Sequence, residues 1–205
     1  MLPIVKSHTS TSHHYQVFLD ELAKSLFSGD IESGYSSRLA VATDNSVYQQ
    51  LPEAVVFPKS IQDLELVGTL LAKYPDVKVG ARGGGTGTNG QSLTPGIVVD
   101  MSRHMREIIE INVEEQWVRV QAGVIKDQLN DALRPHGFFF APDLSTSNRA
   151  TIGGMVNTDA SGQGSLVYGK TSDHIQALTA VLANGEVIKT ESMPIPEKLS
   201  LTGSR

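Results

Sequence analysis

The most informative segment of the chain is Ala81-Arg82-Gly83-Gly84-Gly85-Thr86-Gly87-Thr88-Asn89-Gly90-Gln91. Its glycines can turn successive backbone N–H groups inward, and such a nest of amides binds anions. Thr86, Thr88 and Asn89 add side chains that can form hydrogen bonds. Arg82 stands at the entrance of the loop, where it either meets a ligand or forms a structural salt bridge. The segment predicts an anion-binding loop.

A strand–helix–strand unit precedes this loop. We predict a buried strand at 54–57, a helix that begins after Ser60 and ends at Pro75, and a second strand from 77 to 79. Asp63, three residues after Ser60, is a weaker partner for a capping box. Because a helix joins the two strands, we expect them to be parallel.

The remaining elements follow from hydrophobic periodicity and from turn residues. Residues 31–53 are mixed and polar, and we interpret them as short turns that cover the core. We predict an N-terminal helix at 15–26, strands at 97–100, 108–111, 117–121 and 138–140, a helix at 125–136 capped by Gly137, and a hairpin at 177–189 with a type I′ turn at Asn184-Gly185.

Composition narrows the class of protein. The chain has 205 residues, of which 40% are hydrophobic, and its formal net charge is −5. Lys and Arg are scattered, which argues against a nucleic-acid partner. There are no cysteines, so a disulfide framework, a cysteinyl flavin link and a cysteine-ligated iron–sulfur cluster are excluded within this stretch.

Hydropathy argues against a membrane span, because no run approaches the ~20 apolar residues that a spanning helix needs. Residues 1–12 are polar and lack the apolar segment of a signal peptide, so we expect a cytoplasmic protein.

Two nucleotide-binding patterns are present, but their context is wrong. Gly85, Gly87 and Gly90 form a literal G-x-G-x-x-G, yet a strand follows where a dinucleotide-binding turn needs a helix. Gly164–Thr171 forms a literal G-x-x-x-x-G-K-T, yet small polar residues precede it where a phosphate-binding loop needs an apolar strand. A P-loop-like phosphate site that uses Gly164, Lys170 and Thr171 is kept as the alternative.

A second glycine-rich cluster extends from 142 to 169. It contains Ala150-Thr151-Ile152-Gly153-Gly154 and Ala160-Ser161-Gly162, and such small residues let the backbone pack flat against a ring system. One glycine cluster is typical of an ordinary turn. Two clusters, separated by strands and a helix, indicate one shared ligand site.

At this point the chain resembles a known family over residues 50 to 190. The resemblance is to the FAD-binding domain of the vanillyl-alcohol-oxidase and p-cresol-methylhydroxylase class of flavoproteins. Its elements occur in order: Ala54–Pro58, Arg82–Thr86, Gly96–Arg103, Val120–Val124, Pro142-Asp143, Ala150–Gly154, Asn157 with Ala160–Gly162, Tyr168-Gly169 and Asn184–Val187.

The resemblance implies an α+β fold of this p-cresol-methylhydroxylase type, with two α+β subdomains and FAD between them. It divides the chain into an N-terminal helical extension at 1–49, the FAD-binding domain at 50–190, and the start of a further region at 191–205. The 83–90 loop would hold the pyrophosphate. The implied cofactor-binding residues are Arg82, Gly83, Gly84, Gly85, Thr86, Gly87, Thr88, Asn89, Gly90, Pro142, Asp143, Ser145, Thr146, Ala150, Thr151, Gly153, Gly154, Asn157, Ser161, Gly162 and Val187.

Departures from the family pattern refine this reading. Covalent members carry His where Thr86 stands, so FAD is expected to bind without a covalent link. Leu144 replaces the usual Pro. The Gly87–Gly90 sequence and Ser102–Met105 resemble the large bacterial D-2-hydroxyglutarate dehydrogenases, in which this module is fused to a substrate-cap domain and a cysteine-rich iron–sulfur domain.

The implied function is oxidation of a D-2-hydroxy acid, of the D-2-hydroxyglutarate or D-lactate type. In the family the base and the carboxylate-binding arginine come mainly from the cap domain, so the catalytic residues stay unknown here. His104, His136 and His174 are candidate bases by residue type, but His136 precedes the helix-ending Gly137 and the other two have no partner that the sequence identifies. We predict no metal ligand. An iron–sulfur cluster is expected only outside this chain. A non-catalytic FAD-binding module is a further alternative, and homo-oligomerisation and the electron acceptor stay open.

Overall fold

A four-stranded sheet organises the N-terminal half of the chain, in a computed structural model that describes residues 10–190. The strand order is β1-β2-β4-β3, with β1 antiparallel to β2 and the other pairings parallel. The strands are β1 Asp30–Glu32, β2 Ala54–Phe57, β3 Val79–Arg82 and β4 Ile97–Asp100. The predicted parallel orientation of 54–57 and the following strand is confirmed, although β4 lies between them.

Every residue of β2 and β4 is buried, as their continuous apolar runs predict for a parallel sheet covered on both faces. Helices α1 (His13–Lys24) and α3 (Ile61–Lys73) cover one face, where Phe18 and Leu22 meet Val56 in the main core. Alternate residues of β2 point to the other face, on which α2 (Tyr35–Ala40) packs.

A separate hydrophobic core supports the C-terminal half. Strands β5 (Ile108–Asn112) and β6 (Trp117–Val120) form an antiparallel pair beside helix α4 (Lys126–Leu133). Helix α5 (Ile152–Thr158) adds its buried side to the same core. This core contains Val124, Leu129, Leu133, Ala150, Ile152 and Met155. The two cores confirm the predicted arrangement of two α+β subdomains.

The last described elements are the short helix α6 (Ser165–Tyr168) and the hairpin of β7 (Thr179–Val181) and β8 (Val187–Lys189). Short 3₁₀ turns lie at 134–136 and 171–174. The predicted start of a further region at 191–205 lies outside the described residues, and the domain boundaries stay a prediction. No helix between residues 10 and 190 is long and apolar enough to cross a membrane.

Three predicted elements were wrong. Residues 31–53 are not only turns, because β1 pairs with β2 and α2 follows it. The second strand begins at Val79 and not at Val77, so that Arg82 is its last residue. Residues 138–140 form no strand, since the Phe138 and Phe140 N–H groups donate to Leu133 O and Asn130 Oδ1 of α4.

One further helix was not predicted, and the predicted hairpin turn is of a different type. The segment after Thr151 is the helix α5, because the Thr151 hydroxyl caps it by accepting from the Gly154 N–H. The hairpin has a three-residue loop in which only Gly185 has positive φ, at 85°, whereas a type I′ turn needs two such residues. Leu182 closes this loop by accepting from Gly185 N–H at 2.9 Å and donating to Glu186 O at 2.8 Å.

The start of α3 depends on a buried carboxylate. Ser60 caps the helix as predicted, accepting from Asp63 N–H at 3.2 Å. The Asp63 side chain does not complete a capping box. It is 1% exposed and accepts from Lys59 N–H, Ser28 N–H and the Ser28 hydroxyl. The Asp63 carboxylate therefore links Ser28, which precedes β1, to the start of α3 by hydrogen bonds.

We expect Asp63→Ala to lower the free energy of unfolding by about 3 kcal/mol, because it leaves three donors without their charged acceptor. Urea denaturation measures this value. Asp76→Ala is the matched control, since Asp76 is exposed in the turn after α3 and its loss should change stability by at most about 0.5 kcal/mol. Equal stabilities of the two variants would contradict this role of Asp63.

Candidate functional site

The 83–90 loop leaves the end of β3 and presents a row of free amides. Within residues 10–190, the backbone N–H groups of Gly84 to Thr88 donate to no acceptor. Gly85 has φ 63° and Gly90 has φ 74°, which is the left-handed conformation that glycine tolerates. Asn45 N–H donates to Gly85 O at 3.1 Å and fixes the loop from the side. The loop has the donor arrangement of an anion nest.

The second glycine segment is held by backbone hydrogen bonds to the region before α4. Lys126 N–H donates to Ala150 O at 3.0 Å, and Gly153 N–H donates to Ala122 O at 2.8 Å. Thr151 is 2% exposed, and its hydroxyl is already used to cap α5. This segment is therefore rigidly placed before any ligand arrives.

The two glycine segments meet directly. A Cβ atom on Gly83 would overlap the Thr151 hydroxyl, and one on Gly84 would overlap the Arg149 carbonyl oxygen. Only glycine permits so close an approach of one loop to the other. The structure thus brings together the two clusters from which the sequence predicted one site.

A pocket of about 340 Å³ opens beside this contact. Four of the predicted site residues line it: Arg82, Gly85, Thr86 and Thr146. Sequence reasoning missed its other lining residues, which are Ala40, Thr43, Asp44, Asn45 and Arg149. The polar Asp44-Asn45 pair and the position of Arg149 next to Ala150 were the available signals, but neither forms a recognisable motif alone.

Arg82 lines the pocket, but its guanidinium is already engaged in hydrogen bonds within the protein. It is 8% exposed, and its guanidinium donates to Thr43 O at 2.9 Å and to the Ser92 hydroxyl at 3.2 Å. Burial lowers the pKa of Arg82 from its usual value, while the carboxylates of Asp100 and Asp44 act to raise it. Asp100 lies 4.0 Å away. Of the two roles considered for Arg82, these contacts support the structural one and not direct ligand binding.

Asp44 stays ionised in the pocket. Burial acts to raise its pKa, but hydrogen bonds from Ser46 and Ser92 and the charge of Arg82 outweigh burial and hold the pKa below its ordinary value. The Ser46 N–H lies 2.9 Å from the carboxylate and the Ser92 hydroxyl 3.1 Å from it. Asp44 therefore supplies negative charge that balances Arg82.

Several predicted cofactor residues lie outside this pocket. Asp143 is exposed and faces the buried Lys126 ammonium at 3.9 Å, and a Cβ on Gly162 would overlap the Asp143 carbonyl. Asn157, Ser145 and Ser161 are exposed. Val187 pairs with Val181 in the hairpin. Their contact with a cofactor stays a prediction.

The P-loop-like pattern does not form a phosphate cradle. Its interior is the helix α6, and the hydrogen bond from the Lys170 ammonium lowers the pKa of Asp159 to about 2. Thr171 is completely buried, and its hydroxyl donates to Ala160 O at 2.7 Å. The Lys170 and Thr171 side chains, which would contact a nucleotide in a phosphate-binding loop, thus both bind partners within the chain.

The histidines gain partners that the sequence did not identify. His104 Nε2 lies 2.6 Å from Asp30 Oδ2, and this hydrogen bond lowers the pKa of Asp30. His174 Nε2 lies 2.7 Å from the Tyr168 carbonyl oxygen. Among residues 10–190, no group of His, Asp and Glu is placed to hold a metal ion.

The fold and the paired glycine segments define a flavin-binding class of protein. The sequence pattern of the family described as FAD binding domain matches residues 52–191, and the chain belongs to that family. A solved structure of alkyldihydroxyacetonephosphate synthase matches with a TM-score of 0.79 at 22% identity, covering 94% of this chain and 37% of that one. BBE-like 1 of Physcomitrella patens matches with a TM-score of 0.74 at 23% identity, covering 85% and 37%. The predicted p-cresol-methylhydroxylase type of fold and the predicted cofactor, FAD, are confirmed.

Particular relatives are more similar in sequence. The chain is 57% identical over 195 residues to D-2-hydroxyglutarate dehydrogenase of Haemophilus influenzae, covering 94% of this chain and 19% of the relative. It is 62% identical over 180 residues to the protein of that name from Escherichia coli, covering 87% and 18%. The chain thus spans about a fifth of the length of these curated relatives.

Gly84→Ala tests the contact between the two glycine segments. The added methyl group must displace the Arg149 carbonyl, so we expect stability to fall by about 1–3 kcal/mol. FAD affinity should fall by about tenfold or more, because the neighbouring free amides move with it. Urea denaturation and flavin fluorescence titration measure the two effects.

Gly34→Ala is the matched control. A Cβ on Gly34 meets nothing within 4 Å, and its φ of −64° suits alanine. This variant should keep wild-type FAD affinity and lose less than about 1 kcal/mol of stability. Wild-type FAD affinity in Gly84→Ala would show that the segments need not touch.

Proposed function

We propose that this chain is the FAD-binding part of a dehydrogenase that oxidises a D-2-hydroxy acid, of the D-2-hydroxyglutarate or D-lactate type. The observation that carries the proposal is the row of free amides from Gly84 to Thr88 in a loop whose Gly83 and Gly84 pack against Arg149 and Thr151. The substrate class comes from the relatives, which are D-2-hydroxyglutarate dehydrogenases.

The residues present fit FAD. The amides of residues 84–88 suit the anionic oxygens of a diphosphate, because they are donors without acceptors. The ring system is proposed to lie beside residues 150–154 and 160–162, as the family resemblance implies, although Gly153 packs against Ala122 and Gly162 against Asp143. When bound, FAD would accept the hydride from the α-carbon of the substrate, and with it two electrons. This chain binds the cofactor and fixes its orientation.

The attachment of FAD is proposed to be non-covalent. Thr86 stands where covalent members of the class carry His, and a threonine hydroxyl does not offer the imidazole nitrogen of that link. The chain also has no cysteine. Acid should therefore release the flavin from denatured protein.

No catalytic base is assigned to this chain. His104 is committed to Asp30, and His174 to the Tyr168 carbonyl. We propose that the base and the carboxylate-binding groups lie outside residues 10–190, and that the chain alone does not turn over substrate. We also propose that the protein is cytoplasmic and forms homo-oligomers. No electron acceptor is assigned.

The first arm of the test is the flavin content of the purified chain. We expect a yellow protein that releases FAD into the supernatant on acid precipitation. Lys170→Ala should bind FAD as the wild type does, because its ammonium pairs with Asp159 and not with a ligand. A colourless chain that cannot be reconstituted with FAD, or loss of nucleotide binding in Lys170→Ala, would favour the P-loop-like alternative.

The second arm replaces the matching N-terminal region of the Escherichia coli relative with this chain. D-2-hydroxyglutarate should bleach the flavin of this chimera under anaerobic conditions, and L-2-hydroxyglutarate should not. The chain alone should stay yellow with both acids. A chimera that holds FAD but resists bleaching by D-2-hydroxyglutarate and D-lactate would favour a non-catalytic FAD-binding module.

A further inference from the structure

Arg149 is a charged residue of the pocket with no partner inside the described chain. Its side chain is exposed and lines the pocket with Gly85 and Thr86. Within residues 10–190 its guanidinium makes no hydrogen bond and no ion pair. The Arg149 carbonyl oxygen contacts Gly84, which is the first residue of the loop with a free amide, so the Arg149 side chain leaves the backbone next to this loop.

The carboxylates of Asp100 and Asp44 both act on Arg82, and within residues 10–190 neither forms an ion pair with Arg149. Arg82 is offset by Asp100 and Asp44, whose carboxylates act to raise its pKa, whereas the charge of Arg149 acts to lower it. The two guanidinium groups therefore repel each other electrostatically. Asp44 is engaged by Ser46 and Ser92 on the side of Arg82. Arg149 is therefore an unpaired cation that lines the pocket together with Gly85 and Thr86, whose backbone N–H groups have no acceptor among residues 10–190.

We propose that Arg149 binds the diphosphate oxygens of FAD and completes the amide cradle of residues 84–88. This inference deepens the proposed function and rests on it. A guanidinium can offer two parallel N–H donors to one anionic group, and such charge-assisted hydrogen bonds are stronger than neutral ones. Amides alone would orient the diphosphate, while Arg149 neutralises part of its charge.

The geometry favours the diphosphate over a substrate carboxylate. Both are anionic oxygen groups that an arginine can hold. The free amides begin at Gly84, which touches the backbone of Arg149 itself, so a single anion can be reached by both. A carboxylate bound by Arg149 would leave these amides without a partner.

The test titrates FAD and riboflavin into apoprotein of the chain and follows flavin fluorescence. Arg149→Ala should raise the Kd for FAD by about tenfold or more and leave the Kd for riboflavin, which lacks the phosphates, unchanged. Arg149→Lys should recover part of the affinity, because it keeps the charge but loses the planar fork. Arg134→Ala is the control, since it removes an exposed arginine paired with Asp131 at 2.8 Å.

Each other outcome overturns the assignment. An unchanged FAD Kd in Arg149→Ala would show that the residue does not touch the diphosphate. An equal loss of FAD and riboflavin affinity would place it at the ring system or in a structural role. A raised KM for D-2-hydroxyglutarate in the chimera, with FAD affinity intact, would assign it to the substrate carboxylate. If the wild-type chain binds no FAD at all, the proposed function itself fails, which is a distinct result.

Discussion

The close approach of Gly83 and Gly84 to the Arg149–Thr151 backbone is the constraint on which the site depends. One glycine segment follows β3 of the four-stranded sheet, and the other leads into α5 in the core around α4 and α5. Because neither Gly83 nor Gly84 has room for a Cβ atom, the loop can approach the Thr151 hydroxyl and the Arg149 carbonyl this closely only with glycine at both positions. The pocket lies beside this contact, and Gly85 and Thr86 of the loop line it together with Thr146 and Arg149 of the opposite segment.

Rigid support on both sides makes this arrangement a binding site rather than a flexible turn. Arg82 ties the start of the loop to the carbonyl oxygens of Val41 and Thr43, and Thr151 caps α5 on the opposite side. Both residues are buried, so their hydrogen bonds are costly to break. The N–H groups of Gly84 to Thr88 have no acceptor among residues 10–190, so an anionic cofactor can accept from them without displacing an internal partner.

Strands such as Ala54–Phe57 and Ile97–Asp100 could be predicted from sequence, because continuous apolar runs require burial on both faces. The strand Asp30–Glu32 could not, since its polar residues form a strand only by pairing with β2. The helix after Thr151 was hidden by two glycines of low helix propensity. The glycine loops of the site were recognisable, but Asp44, Asn45 and Arg149 join the pocket through tertiary contacts that leave no local pattern.

Hydrogen exchange of the chain with and without FAD tests the central claim most directly, namely that the two glycine segments form one FAD site. The amides of residues 84–88 and those of the 145–151 segment should both exchange more slowly when FAD is added, and over the same range of FAD concentrations. The segment at 164–171 should be unaffected, because its Lys170 and Thr171 side chains are engaged internally. Protection of only one glycine segment, or protection confined to 164–171, would contradict the account.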